Sequence, residues 1–249
     1  MTDRFYFRQL LAGRDFAIGD DMARQMVNFV YALGDRETGE AVLVDPAYRP
    51  RELVELVEAD GLHVVGALAT HYHFDHVGGS FMGHEVEGIR ELLETVDVPV
   101  HVQAEEVEWV RRSTQVGGDA LVAHQSGDHV FVGDLDITLI HTPGHTPGSQ
   151  CLLVDGRILS GDTLFLEGCG RTDLPGSDPA EMYRTLTQRL SAVSDDTVLF
   201  PGHMYSPDPS ARMGDVREFN FVLAPSSPEQ WLAMFGSCAR SSRPTTSSS

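Results

Sequence analysis

Residues 70–79 read Thr-His-Tyr-His-Phe-Asp-His-Val-Gly-Gly and follow directly on a short apolar run at residues 63–69. Four metal-competent side chains, His71, His73, Asp75 and His76, fall within six residues at the end of a strand. Histidine and carboxylate are the donors that zinc and iron(II) accept. Alternate residues of an extended segment point the same way, so His71 and His73 can face one ion. Asp75 and His76 follow as the chain turns and can face a second. Gly78 and Gly79 permit a sharp exit. A polar loop with hydrogen-bonded histidines would explain one such residue; it explains four poorly.

Around this loop the pattern is strand, helix, strand. Residues 27–33 are apolar and rich in β formers, 34–39 carry turn chemistry, and 41–44 form a second run that Asp45-Pro46 stops. Residues 50–59 show helical spacing, with Leu53, Leu56 and Val57 on one face. Further helices are predicted at 85–95, 104–112 and 178–192, the last with Pro179 in its first turn. Short strands are predicted at 98–102, 129–132, 135–140, 150–154, 157–159 and 197–200. Both halves run strands, helix, then a strand ending in a His-bearing loop. This grammar predicts an α/β (α+β) chain: an αβ/βα four-layer sandwich, two packed mixed β-sheets flanked by helices. One domain is expected over residues 1–235, followed by a polar, low-complexity tail at 236–249 expected to be disordered.

Three more candidate donors lie in loops after apolar runs. His145 is centred in Thr-Pro-Gly-His-Thr-Pro-Gly-Ser, Asp162 follows Leu-Ser-Gly, and His203 follows Phe-Pro-Gly. Each alone is a weak signal. With the first cluster they make a set of five histidines and two aspartates.

Composition narrows the class. The formal charge of −19 repels phosphate backbones, so a nucleic-acid partner is not expected. No apolar run reaches the length of a membrane span, and the first fifteen residues lack the apolar stretch of a secretory leader. A cytoplasmic location without membrane contact is the expectation. Cys151, Cys169 and Cys238 are too sparse for a disulfide framework and read as buried thiols, Cys169 less firmly because its Gly-rich loop adjoins the proposed site.

From about residue 28 to 220 the sequence resembles the metallo-β-lactamase superfamily. The resemblance implies that fold. It implies that His71, His73 and His145 hold one metal, that Asp75, His76 and His203 hold another, and that Asp162 bridges them. The cofactor so implied is two divalent metal ions, zinc first, with iron or manganese also open. Zinc β-lactamases lack the bridging aspartate, which argues against antibiotic hydrolysis. Flavodiiron proteins carry Glu where this chain has His73, and the ribonuclease relatives carry RNA-binding extensions. The nearest resemblance is to hydroxyacylglutathione hydrolase (glyoxalase II) and its short thioesterase relatives, and to persulfide dioxygenase. Residues 161–165 and 201–203 look more like the hydrolases; 168–173 and 33–46 also look like the dioxygenases. The glutathione-binding C-terminal helices of the full hydrolase are not evident, which puts glutathione as carrier in doubt. Residues 83–98 are an insertion relative to the short families and either shape the cleft or form a surface helix.

The expected activity is therefore metal-dependent hydrolysis of a thioester, with Asp75 orienting the nucleophile and accepting its proton. The alternative is a mononuclear-iron persulfide dioxygenase, its metal held by the two-His-one-carboxylate set His71, His145 and Asp162. A non-catalytic metal-binding module is a third reading. Either enzyme would take a small-molecule thioester or thiol-derived substrate, and the chain leaves a homodimer open. Arg171 and Tyr205 are the candidate substrate-binding residues. Arg171 serves either a substrate carboxylate, through a two-point pair, or its own loop through Asp173.

Overall fold

The computed structural model describes residues 4–81 and 83–235. Strands are numbered in chain order. The first sheet contains β1 (Phe5–Leu11), β2 (Phe29–Asp35), β3 (Glu40–Val44), β4 (His63–Leu68), β7 (Val100–Gln103) and β8 (Leu121–His124), paired in that order. A separate hairpin is made by β5 (Gly79–Phe81) and β6 (His84–Val86). The second sheet runs β14 (Ala211–Arg212), β13 (Val198–Pro201), β12 (Arg157–Gly161), β11 (Gln150–Val154), β10 (Leu135–His141) and β9 (His129–Val132).

Strand alternation builds the layers. On β2 and β3, Tyr31, Leu33, Val42 and Val44 face the second sheet, where Ile137, Leu139, Leu152 and Leu159 meet them. Their sequence neighbours Val30, Ala32, Ala41 and Leu43 face the other way. There they pack on α2 (Pro50–Ala59) and α4 (Ile89–Thr95) through Leu53, Val57, Ile89 and Leu92, and on α5 (Val107–Thr114) through Val110. Cys151, Ile158 and Leu199 do the same on the second sheet. They meet Met182 of α6 (Pro179–Arg184), Met213 and Val216 of α7 (Met213–Phe219), and Trp231 of α8 (Pro228–Phe235). This is the αβ/βα four-layer sandwich with mixed sheets. Such period-2 alternation is what puts opposite faces of one strand into different cores.

Several elements differ from expectation. β1 and the short helix α1 (Asp21–Met26) were not predicted. β1 reads Phe-Tyr-Phe-Arg-Gln-Leu-Leu and is apolar on both faces at its ends, so its alternation is blurred. α1 is six residues long and is defined by its caps: Asp20 accepts from Met22 N and Ala23 N, and Val27 closes it in the left-handed region. The helix predicted at 85–95 starts only at Ile89, because residues 84–86 pair in the hairpin and Glu91 returns its carboxylate to Gly88 N. The helix predicted at 178–192 is α6 followed by a π turn (Thr185–Arg189) and a 3-10 turn (Leu190–Ala192). α7 and α8 follow the last candidate donor. The tail at 236–249, with Cys238, lies outside the described residues. Among the described residues no helix is long and apolar enough to cross a membrane.

The parallel pairings β3–β4, β4–β7, β7–β8 and β12–β13 matter most for the site. Parallel strands send their carboxyl ends to the same rim, where open α/β sheets place their working loops. α3 (Phe74–Val77), the loop after β10, and the ends of β12 and β13 meet on that rim.

Candidate metal centre

β4 ends at Leu68, the chain bends at Thr70, and His73 is extended (φ −61°, ψ 145°) before α3 begins. This course brings His71 and His73 together, and the single turn of helix then presents Asp75 and His76 to a second group. From the second sheet, the neighbours Gly161 and Pro201 set Asp162 and His203 side by side. Gln150 ties the halves together: its backbone N–H donates to Thr70 O and its side-chain amide to Ala69 O, at 2.9 and 2.8 Å.

Two groups of donors result. His71 Nε2 lies 3.1 Å from His73 Nδ1, which lies 3.0 Å from His145 Nε2. His203 Nε2 lies 3.2 Å from His76 Nε2 and 3.4 Å from Asp75 Oδ2. Asp162 stands between them. Its Oδ2 is 3.6 Å from His145 Nε2 and 3.3 Å from His203 Nε2, and its Oδ1 is 3.4 Å from His76 Nε2. Nitrogens at the ordinary zinc distance of about 2.0–2.1 Å, arranged tetrahedrally, lie about 3.3 Å apart. The spacing of both groups fits that requirement.

The outer contacts decide which ring nitrogen faces inward. His76 Nδ1–H donates to Asp45 Oδ2 at 2.8 Å, His145 Nδ1–H to the Arg171 carbonyl at 2.8 Å, and His203 Nδ1–H to the Met26 carbonyl at 2.7 Å. Thr70 Oγ1 donates to Asp45 Oδ2 and so receives His71 Nδ1–H at 3.1 Å. Four rings are thereby held with Nε2 turned into the centre, the nitrogen whose lone pair a metal would take up once any proton on it is displaced. Asp162 Oδ1 is buried and has no hydrogen-bond partner. A buried carboxylate oxygen without a donor calls for a cation.

Electrostatics divide the donors. Burial pushes the pKa of His71 well below the usual histidine range, lowers that of His145, and pushes His73 down to about 4 with His145 adding to the effect. Burial also opposes a charge on His76 and His203, but Asp162 leads the groups that override it; His76 is pushed up to about 10 and His203 is raised. Burial likewise opposes the Asp162 carboxylate, yet His203 and His76 hold it well below the carboxylate range. The second donor group is a place that favours positive charge.

The sequence profile described as the metallo-beta-lactamase superfamily matches residues 25–203. The chain belongs to the metallo-β-lactamase superfamily. A hydroxyacylglutathione hydrolase of Shewanella halifaxensis is 32% identical over 182 residues, 72% of this chain and 62% of that protein. The mitochondrial persulfide dioxygenase ETHE1 of Homo sapiens is 29% identical over 205 residues, 81% of this chain and 73% of that protein. Among solved structures, ETHE1 from Myxococcus xanthus superposes with a TM-score of 0.74 at 27% identity, over 94% of this chain and 91% of that one. Members of the superfamily are usually enzymes, and hydrolases among them.

In this metallo-β-lactamase superfamily chain all seven expected donors converge on one rim. Tyr205 stacks on His203 with ring centroids 4.6 Å apart and planes 7° from parallel, and burial pushes its pKa up, so its hydroxyl keeps its proton. Arg171 lies on the cleft wall with its guanidinium in a two-point pair with Asp173, at 2.9 and 2.8 Å. That is the bracing arrangement of the two that its sequence position allowed. The insertion places Glu87 where its carbonyl accepts from Tyr48 N, so one of its edges supports the site's surroundings.

Sequence reasoning missed the outer supports. Asp45 organises both Thr70 and His76, Asn28 Nδ2 donates to Asp75 Oδ2 at 3.1 Å, and Tyr48 OH donates to Asn28 Oδ1. Glu106 is buried and receives Tyr72 N–H and Gly148 N–H at 2.8 and 2.7 Å, clamping a loop of each half. Asp45 carried one signal, an aspartate at the end of a strand on the rim; the others carried none.

Proposed function

We propose that the chain is a dinuclear metallo-hydrolase that cleaves a thioester. The observation that carries this reading is Asp162, one carboxylate shared between two three-residue donor groups. His71, His73 and His145 would hold one ion and Asp75, His76 and His203 the other, with Asp162 touching both. Divalent ions held there supply Lewis-acid charge, which acidifies water and polarises an acyl carbonyl.

The chain's residues do the rest. Water adds to the acyl carbon, the C–S bond breaks, and acid and thiol leave. Asp75 sits at the cleft floor with Asn28 Nδ2 on its Oδ2, placed to orient the water and to accept its proton. A thiol with a pKa near about 8.5 leaves as thiolate without a strong acid behind it. The protonated Tyr205 hydroxyl lines the cleft and is assigned to substrate contact, whereas Arg171, paired with Asp173, braces the cleft wall.

A second reading, a mononuclear-iron persulfide dioxygenase using His71, His145 and Asp162, is supported by the likeness to both ETHE1 proteins. The completeness of the second donor group, Asp75, His76 and His203, supports hydrolysis over it, although under the single-iron reading His73 and His203 would serve as outer groups. Metal analysis of protein purified without added metal, with thioester and glutathione-persulfide assays, tests the choice. Two ions per chain and thioester cleavage are expected. One iron per chain with oxygen uptake would overturn the reading.

A further inference from the structure

The cleft above the metal centre has a volume of about 860 Å³. Its charged and imidazole groups are concentrated at the floor, where His73, Asp75, His145, Asp162 and His203 belong to the donor set. The walls are different. α1 contributes Met22 and Met26, one helical turn apart on the same face. Phe74 comes from the histidine loop, and Phe165, Leu174 and Pro175 come from the segment after Asp162. Away from the floor, the charged side chains among the lining residues are Arg171 and Glu167. Arg171 is already engaged by Asp173. Glu167 would repel an anion, as would the net charge of −19.

We infer that the substrate carries an uncharged, apolar acyl chain that lies between α1 and the 165–175 segment. The inference rests on the thioester reading and names the substrate class of that same site. Glutathione brings two carboxylates, and each would need a donor set to replace its water. Against those two charges the walls set the uncharged polar groups of Gln25, Tyr72, Ser80, Ser113 and Tyr205, one carboxylate, and a single guanidinium already engaged by Asp173. They offer instead a concave apolar surface of the kind that takes most of a ligand's area. Methionine side chains adapt to chains of different shape, so the wall formed by α1 tolerates variation in length better than a rigid aromatic wall.

Two series of probes test this. The first is a set of N-acetylcysteamine thioesters from acetyl to octanoyl, compared with S-lactoylglutathione, on the metal-loaded protein. We expect kcat/KM to rise by about fourfold per methylene between butyryl and octanoyl, the factor for burying one such group. Octanoyl should exceed S-lactoylglutathione by at least about 100-fold. The second is binding of S-propyl and S-octyl N-acetylcysteamine, which cannot be hydrolysed, measured by calorimetry. The octyl compound should bind at least about tenfold tighter, and the double substitution Met22→Ser with Leu174→Ser should flatten that difference. Faster cleavage of S-lactoylglutathione, or no dependence on chain length in either series, overturns the inference and leaves the thioester reading standing. Length-dependent thioether binding without cleavage of any thioester supports the apolar cleft and removes the thioester reading.

Discussion

Asp45 shows how one residue outside the donor set can govern it. Its Oδ1 takes the Thr70 backbone N–H and its Oδ2 takes both the Thr70 hydroxyl and the His76 ring, so the orientations of His71 and His76 both trace back to it. Asp45→Asn replaces one acceptor oxygen by a donor, which then faces either the Thr70 backbone N–H or both the Thr70 hydroxyl and the His76 ring. Metal affinity should drop by about 10- to 100-fold, the usual effect of losing such an outer partner, as read by competition with a chromophoric chelator; unchanged affinity would remove Asp45 from the centre. Protons report on the same rings. In metal-free protein His76 is pushed up to about 10, so it carries a proton at pH 7 that a metal must displace, and His203 is shifted in the same direction. Calorimetry in buffers of different ionisation enthalpy should show net proton release at pH 7, with affinity weakening as pH falls. Binding with no proton exchange would contradict the assigned charge state.

At the scale of elements, the close approach of β12 and β13 does what no side chain could do alone. A side chain at Gly202 would put its Cβ 2.5 Å from Asp162 Oδ1 and 2.9 Å from His76 Cε1, and the Gly202 N–H already donates to Gly161 O. Gly202→Ala should therefore push Asp162 off the second donor group. Metal content should fall towards one ion per chain while the first group, remote from that Cβ, retains its metal. Elemental analysis checks this, and two ions retained at full occupancy would show that the backbone yields. α1 matters in a similar way. Six residues give little helix stability on their own, yet the Met26 carbonyl fixes the His203 tautomer and Met22 lines the cleft. Neither α1 nor β1 was legible from the sequence. A helix of one and a half turns is too short for periodicity to show, and β1 presents apolar residues to two different cores.

The whole molecule is two sheet-and-helix halves that share one inter-sheet core and meet again at the rim. Glu106 is a fastener at that second meeting, holding Tyr72 of one half and Gly148 of the other. Burial pushes its pKa up to about 7. A carboxyl raised above its unfolded value holds its proton in the folded chain after the unfolded chain has lost it, so its contribution to stability is fullest below about pH 4.5 and declines as pH rises to about 7. Urea unfolding of the metal-free protein should show wild type losing roughly 3 kcal/mol relative to Glu106→Gln across that interval. Parallel pH profiles for the two proteins would mean that Glu106 titrates as an exposed carboxyl does.

The amino-acid sequence marked the candidate donors: His71, His73, Asp75, His76, His145, Asp162 and His203 lie in loops after apolar runs, and residue type with local context is enough to mark a metal-competent loop at a strand end. It also pointed to the layering, because the repeated order of apolar strand runs, helix and strand ending in a His-bearing loop is local information. Only the tertiary structure decided what surrounds those donors. Asp45 meets His76 thirty-one positions away, Glu106 meets Gly148 forty-two positions away, and Met26 meets His203 across 177. Such contacts depend on strand order and register, which a linear pattern of residue types does not encode, and they fix the tautomers, the cleft walls and the charge of the centre.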